Sequence, residues 1–364
     1  MEFEMTEDPL AIGEAQKQGT SESILASGIV EDQQLDLILM ILIPVMQIIN
    51  LFSLIGNVMN VAVFVRLGFS ETANISLTAL ALSDLVSVVL NIWVILCYWP
   101  PFRDSEFPFN PVNLTLLTGV VLRVFTIRTV ACITAFISFE RCLCIVAPFK
   151  MKRIITPRFT LKAMLIIALL TIGPYSLITI RYNFAWVFYP QMNATILDVV
   201  TDNSRRAILI EKVVLTIWGV VQPVVAFVIV VVCTIFLVIQ LRKMASWRKS
   251  ATSAERQKEI NSAPKAAVHN SSSRKEERLA KMVVVIATNF IVCFTPTFAL
   301  LLAKAAFEEL HFLGAYGRIL LVLMLITYLG ESISAGVNIL IYYSMTTKFR
   351  STLRQLLRLD DPEK

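Results

Sequence analysis

Asp84, Arg123, Arg128, Glu140, Arg141 and Glu331 lie in stretches that are otherwise apolar. A charge near hydrocarbon is costly and tends to mark function, and a carboxylate there must be paired, neutralised or solvated. The chemistry open to such a set is ion pairing that can be made and broken. Clustered catalytic side chains and metal-ligand spacing are missing from the sequence, and with two histidines, His269 and His311, a zinc site does not fit. An enzyme is therefore not expected. Arg123 precedes Arg141 by eighteen residues, a whole number of helical turns, so the two point the same way about 27 Å apart at ~1.5 Å per residue. Arg128, five residues after Arg123, is rotated by about 140° and should face a neighbouring helix.

The elements that carry these residues are long and apolar. The chain has 364 residues, 56% hydrophobic and 16% charged, where a soluble domain carries about 25% charged residues. Seven apolar blocks, at 37–65, 73–98, 114–146, 161–180, 207–241, 282–306 and 313–343, reach the length a bilayer-crossing helix needs. Six or eight crossings remain open; seven fits best. The fold class is an all-α membrane protein, a seven-transmembrane helix bundle, with a short amphipathic helix after the seventh. In that helix Phe349, Leu353, Leu356 and Leu357 recur on one face, and Lys348, Arg350, Arg354 and Arg358 cover the other. It should lie on the cytoplasmic leaflet, in contact with lipid.

With the N-terminus outside, 23 of the 33 Lys and Arg residues fall on the cytoplasmic side. The net charge of +6 then reflects loops near anionic lipid and does not point to nucleic acid. Residues 1–36, with nine acidic groups and one Lys, read as a disordered extracellular segment without a cleavable signal. The loop 242–281 carries eleven basic and four acidic residues, as a surface for an intracellular partner or as a solvated loop. Residues 344–364 form the amphipathic helix and tail. All six cysteines fall in helices or near their cytoplasmic ends, so no extracellular disulfide is expected. Asn193 and Asn113 head glycosylation sequons in outer segments.

Seven motifs fall in register along the chain: Gly56-Asn57-Val58, Leu80-Ala81-Leu82-Ser83-Asp84, Glu140-Arg141-Cys142 with Pro148-Phe149 beyond, Pro223, Cys293-Phe294-Thr295-Pro296, Asn338-Ile339-Leu340-Ile341-Tyr342, and Phe349-Arg350. In this order the set resembles the rhodopsin-like class of G-protein-coupled receptors. The resemblance spans all but the fourth block, which lacks the family's tryptophan. It implies a multi-pass plasma-membrane receptor domain at 37–343 that binds an extracellular ligand and activates a heterotrimeric G protein, with arrestin as a further candidate partner. It implies that Arg141 pairs with Glu140 and with Glu276, that Phe294 replaces the toggle tryptophan beside Pro296, and that Tyr342 swings inward on activation. It also implies a polar core of Asp84, Asn57, Ser334 and Asn338, sodium-binding in many relatives; no other metal or cofactor is expected. Departures are Ile339 in place of proline, which should leave that helix less kinked, Cys142 in place of tyrosine, and Leu116 where a disulfide cysteine is usual.

By the same resemblance Arg123 lies at ligand depth, where amine receptors carry an acid, so an arginine points to an anionic ligand group. The alternative is internal pairing with Glu331, and the two can coexist. Ile127, Tyr328, Tyr98, Trp93 and Trp186 are further ligand candidates, although the outer aromatics fit membrane anchoring equally well. A retinal pigment is excluded, because 313–343 contains no lysine. The segment 136–148, with Ile155-Thr156-Pro157-Arg158, is similar to orphan receptors expanded in invertebrates, including chemosensory types, which implies a small environmental cue. A neuropeptide receptor is the alternative, and an anion transporter the rival of another class.

Overall fold

The computed structural model describes residues 32–147, 151, 153–190, 193–255, 266–307, 310 and 316–357, excepting the side chains at 32, 247–255, 266–276 and 305. Seven spans are long and apolar enough to cross a membrane. The helices are α1 (Asp32–Leu67), α2 (Thr72–Tyr98), α3 (Leu122–Val146), α4 (Pro157–Ile172), α5 (Gln222–Glu255), α6 (Ala266–Ala306), α7 (Gly317–Met345) and the short α8 (Thr347–Leu356). Lipid offers the backbone no hydrogen-bond partners, so each apolar block closes its own ladder as a helix.

Local signals set the ends. α1 stops at Gly68, whose φ of 78° is the left-handed conformation that ends helices, and Asn74 Nδ2 holds the Gly68 carbonyl at 2.9 Å. Thr156 caps α4 by accepting from the Phe159 amide at 3.3 Å, with Pro157 in the first turn. α7 runs unbroken through Ile339.

Two stretches are wound more loosely. Leu116–Val121 before α3 and Leu215–Val221 before α5 are π-helical, each with one glycine. Such segments leave carbonyls out of the regular ladder and recur at functional sites. The block expected at 114–146 is therefore a short helix Pro111–Thr115, a π segment, and α3.

α3 is the axis of the bundle: 67% of its span's most apolar window is buried, against 22% for the span of α4. The fourth span turns residues such as Leu165 and Leu169 outward, so it is the peripheral helix. One apolar cluster, with Phe64, Ile133, Phe290, Phe294 and Tyr342, fills the half of the bundle nearer Arg141. A second, with Leu39, Val94, Leu325 and Tyr328, fills the other half. α1 and α7 pack closely, since a Cβ on Gly336 would come within 2.5 Å of Ser53 Oγ.

Between α4 and α5 the chain forms an antiparallel hairpin, β1 (Tyr182–Tyr189) with β2 (Ala194–Thr201). It docks without a disulfide. Leu197 donates its amide to Pro108 O at 2.9 Å, and Asn110 donates back to Leu197 O at 3.3 Å. These bonds tie β2 to the segment entering the third span, near Leu116. None of the six cysteines is in a disulfide.

Candidate functional site

Arg123 enters the bundle from the first turn of α3, and Glu331 meets it from the middle of α7. Arg123 Nη2 donates to Glu331 Oε2, and each side chain is only 4% exposed. Thr297 on α6 donates to the other carboxylate oxygen at 3.0 Å. The guanidinium lies over the Tyr328 ring, 3.6 Å from its centre, a favourable stacking for arginine. One carboxylate thus gathers α3, α6 and α7, and the pair is neutral as a unit. Ile127 lies one turn further and lines the same cavity, about 10 Å³, room for roughly one water. Asp84, Asn91, Phe294 and Glu331 also line it, so the cavity joins the Arg123 pair to the polar core.

In that core Asn338 Nδ2 donates to Asp84 Oδ2 at 2.9 Å. Asn91 donates to Ser332 Oγ at 2.7 Å and to Asn50 Oδ1 at 3.2 Å, joining α1, α2 and α7. Of the expected members only Asp84 lines the cavity; Asn338 reaches it through Asp84, and Ser334 and Asn57 bond elsewhere. Ser334 turns to α6, accepting from Asn289 at its carbonyl and hydroxyl, and Ser332 and Ala335 line the cavity instead. Asn57 donates to the Ser53 and Ala335 carbonyls at 2.9 and 3.2 Å, tying α1 to α7 rather than lining the cavity. The cause is helical phase: one residue along a helix turns a side chain by about 100°. Ser87 Oγ and Asn91 Oδ1 are buried oxygens without hydrogen-bond partners beside Asp84 in the cavity lining. A carboxylate with neutral oxygens fits a hard monovalent cation.

At the opposite end of α3, Glu140 Oε1 accepts from Arg141 Nη2 at 2.7 Å and from Thr72 Oγ at 2.8 Å. The two charged side chains are 6% and 1% exposed. Thr72, the first residue of α2, had no signal in the sequence; neither did Thr297. Helical Thr hydroxyls usually bond their own preceding turn, so a bond across the bundle depends on how helices meet. The Glu276 side chain, Pro148 and Arg358 lie outside the described residues. Phe294 stacks on Phe290 with ring centres 4.2 Å apart, in a helix that carries Pro296 without a break. Tyr342 is wedged between Phe64 and Phe349, at 5.1 and 5.6 Å, and its hydroxyl is buried without a partner.

The expected outer aromatics separate. Tyr98 packs against the cluster that contains Tyr328. Trp93 donates to Thr118 Oγ at 2.9 Å, bridging α2 to the π segment before α3. Trp186 does not enter the bundle: it is 65% exposed on β1, beside Phe184 and Phe188 on the same face. Strand alternation explains the correction, since every second side chain of β1 points away from the bundle. On the other face Tyr189 donates to the buried Asp198, and burial with that carboxylate pushes its phenol up to about 12. Asn193 sits exposed in the hairpin turn with φ 46°, and Asn113 is half-buried in the helix Pro111–Thr115.

Seven membrane-spanning helices, with buried ion pairs toward both ends of the central one, define a polytopic membrane protein. The family model of the 7 transmembrane receptor (rhodopsin family) matches residues 56–333. The chain belongs to that family: it is a receptor, not an enzyme, with an extracellular ligand and a G protein as its partners. No curated protein matches it in sequence.

Proposed function

We propose that this receptor answers a small anionic chemical cue, which competes with Glu331 for Arg123. The observation that carries this reading is the buried Arg123–Glu331 pair, which clamps α3 to α7. An incoming acid group matches the guanidinium as Glu331 does. It shifts the bundle between two states by its different affinity for each. At the far end the Glu140–Arg141–Thr72 contacts open, and the freed arginine meets the G protein. Glu276 completes the closed state in this reading.

The N-terminus lies outside in the plasma membrane, Asn193 and Asn113 are glycosylation sites, α8 rests on lipid, and arrestin is a second intracellular partner. A sodium ion at Asp84 favours the closed state. A neuropeptide ligand is the second reading. It is favoured by the exposed face of Phe184, Trp186 and Phe188, a broad apolar contact for an extended chain.

The test is a panel of small organic acids, amines and amidated peptides on cells expressing the chain with a promiscuous G protein. Acids should activate, and Arg123→Gln should abolish the response while surface expression persists. Full potency in Arg123→Gln overturns the reading, and activation by peptides alone favours the second. Glu276→Ala should raise basal signalling; an unchanged basal level counts against its part in the closed state.

A further inference from the structure

Arg128 is a further buried arginine of α3, and among the described residues no carboxylate bonds to it. It is 8% exposed. Its Nη2 reaches the Gly219 carbonyl at 3.3 Å, and its Nε is buried without a hydrogen-bond partner. A guanidinium offers several N–H donors and cannot shed its charge at neutral pH. Glu331 is already held by Arg123 and Thr297. Arg123 takes the Glu331 carboxylate, so among the described residues Arg128 is left with a backbone carbonyl for its charge. An isolated charge in such a place is expensive unless a counter-charge joins it.

The surroundings are built around this arginine. It faces the π segment Leu215–Val221, whose Gly219 carbonyl turns toward α3. Gln222, the next residue, donates to the Arg128 carbonyl at 3.4 Å and contacts Cys132 Sγ at 2.7 Å. Its own Oε1 is buried without a partner. Beside Gly219 there is open space: a Cβ placed there would meet only Leu215 Cβ, at 3.8 Å. An unmatched charged donor and an unmatched amide oxygen meet at one junction between α3 and the π segment.

We propose that Arg128 is the cationic half of an anion site at this junction, which takes one small anionic group, a halide or a carboxylate. The source is either dissolved inorganic anion, held as a structural counter-ion, or the acid group of a ligand. The site is separate from the Arg123–Glu331 pair, and it holds whether or not the activating ligand is itself an acid. An anion there would tie the two helices through charge, at a point where the backbone ladder is loosened.

The test is thermal unfolding of the full chain in detergent at matched ionic strength, in sodium chloride, sodium acetate and sodium isethionate, a bulkier sulfonate. Anion binding to the folded state alone raises the unfolding temperature saturably. A rise in chloride over isethionate, lost in Arg128→Gln, supports the inorganic source; a rise confined to acetate supports the carboxylate source. Equal unfolding temperatures in all three salts, or an undiminished rise in Arg128→Gln, overturns the proposal. Should Arg128→Gln fail to fold, Arg128→Lys keeps the cation and loses the planar fork. It should raise the half-saturating anion concentration about tenfold, the worth of one charge-assisted hydrogen bond; an unchanged value also overturns the site.

Discussion

α3 carries two buried arginine–carboxylate pairs, and they are built on opposite plans. Arg123 meets Glu331 across 208 residues of chain, with Thr297 of α6 joining the carboxylate. Arg141 meets its own neighbour, Glu140, and one hydroxyl of α2, Thr72. The first pair is a strut between helices, and opening it moves α7 or α6 against α3. The second restrains a side chain on its own helix, and opening it breaks the Thr72 bonds across to α2. The same chemistry therefore supplies a strut between helices at one end and a local restraint at the other.

The largest effect should come from breaking the strut on its acidic side. Glu331→Leu leaves Arg123 buried and charged, and should cost about 3–5 kcal/mol of stability, read as a lowered unfolding temperature and poor surface expression. The double variant Arg123→Met with Glu331→Leu should recover most of that loss, because no lone charge remains. A double variant no more stable than Glu331→Leu alone would show that packing, not charge, sets the cost. Arg123→Gln should be milder than Glu331→Leu, since a lone carboxylate can take up a proton and an arginine cannot lose one.

A smaller effect is expected at the other pair. Thr72→Ala removes a hydrogen bond to a charged acceptor, worth roughly 1.5 kcal/mol, and so should raise basal signalling about tenfold with little change in expression. Basal signalling at the wild-type level would mean that Thr72 does not restrain Glu140. The smallest effect belongs to the hairpin's outer face. Trp186→Ala should shift stability by no more than about 0.5 kcal/mol, and a collapse of surface expression would show that the face is covered in the native receptor.

Much of the fold was legible before any coordinates. The seven spans follow from apolar blocks too long for anything else. The eighteen-residue spacing on α3 put both arginines inward. Less of the site was readable. Thr72, Thr297 and Ser332 are ordinary hydroxyl residues in the sequence, and Ser334 and Trp186 were misplaced by one helical step and by an unforeseen strand. The hairpin was hidden because its segment lacks the cysteine that would have signalled an anchored loop; backbone bonds through Leu197 hold it.

The sequence by itself determined the number of spans, the family motifs and the inward phase of Asp84, Arg123 and Arg141, because lipid and helical period act on each segment alone. Only the tertiary structure decided that Glu331 takes Arg123, that Thr72 takes Glu140, and that Arg128 gives its Nη2 to a carbonyl of a π segment. Those outcomes depend on how helices distant in the chain are rotated and set in height against one another. No single segment contains that information.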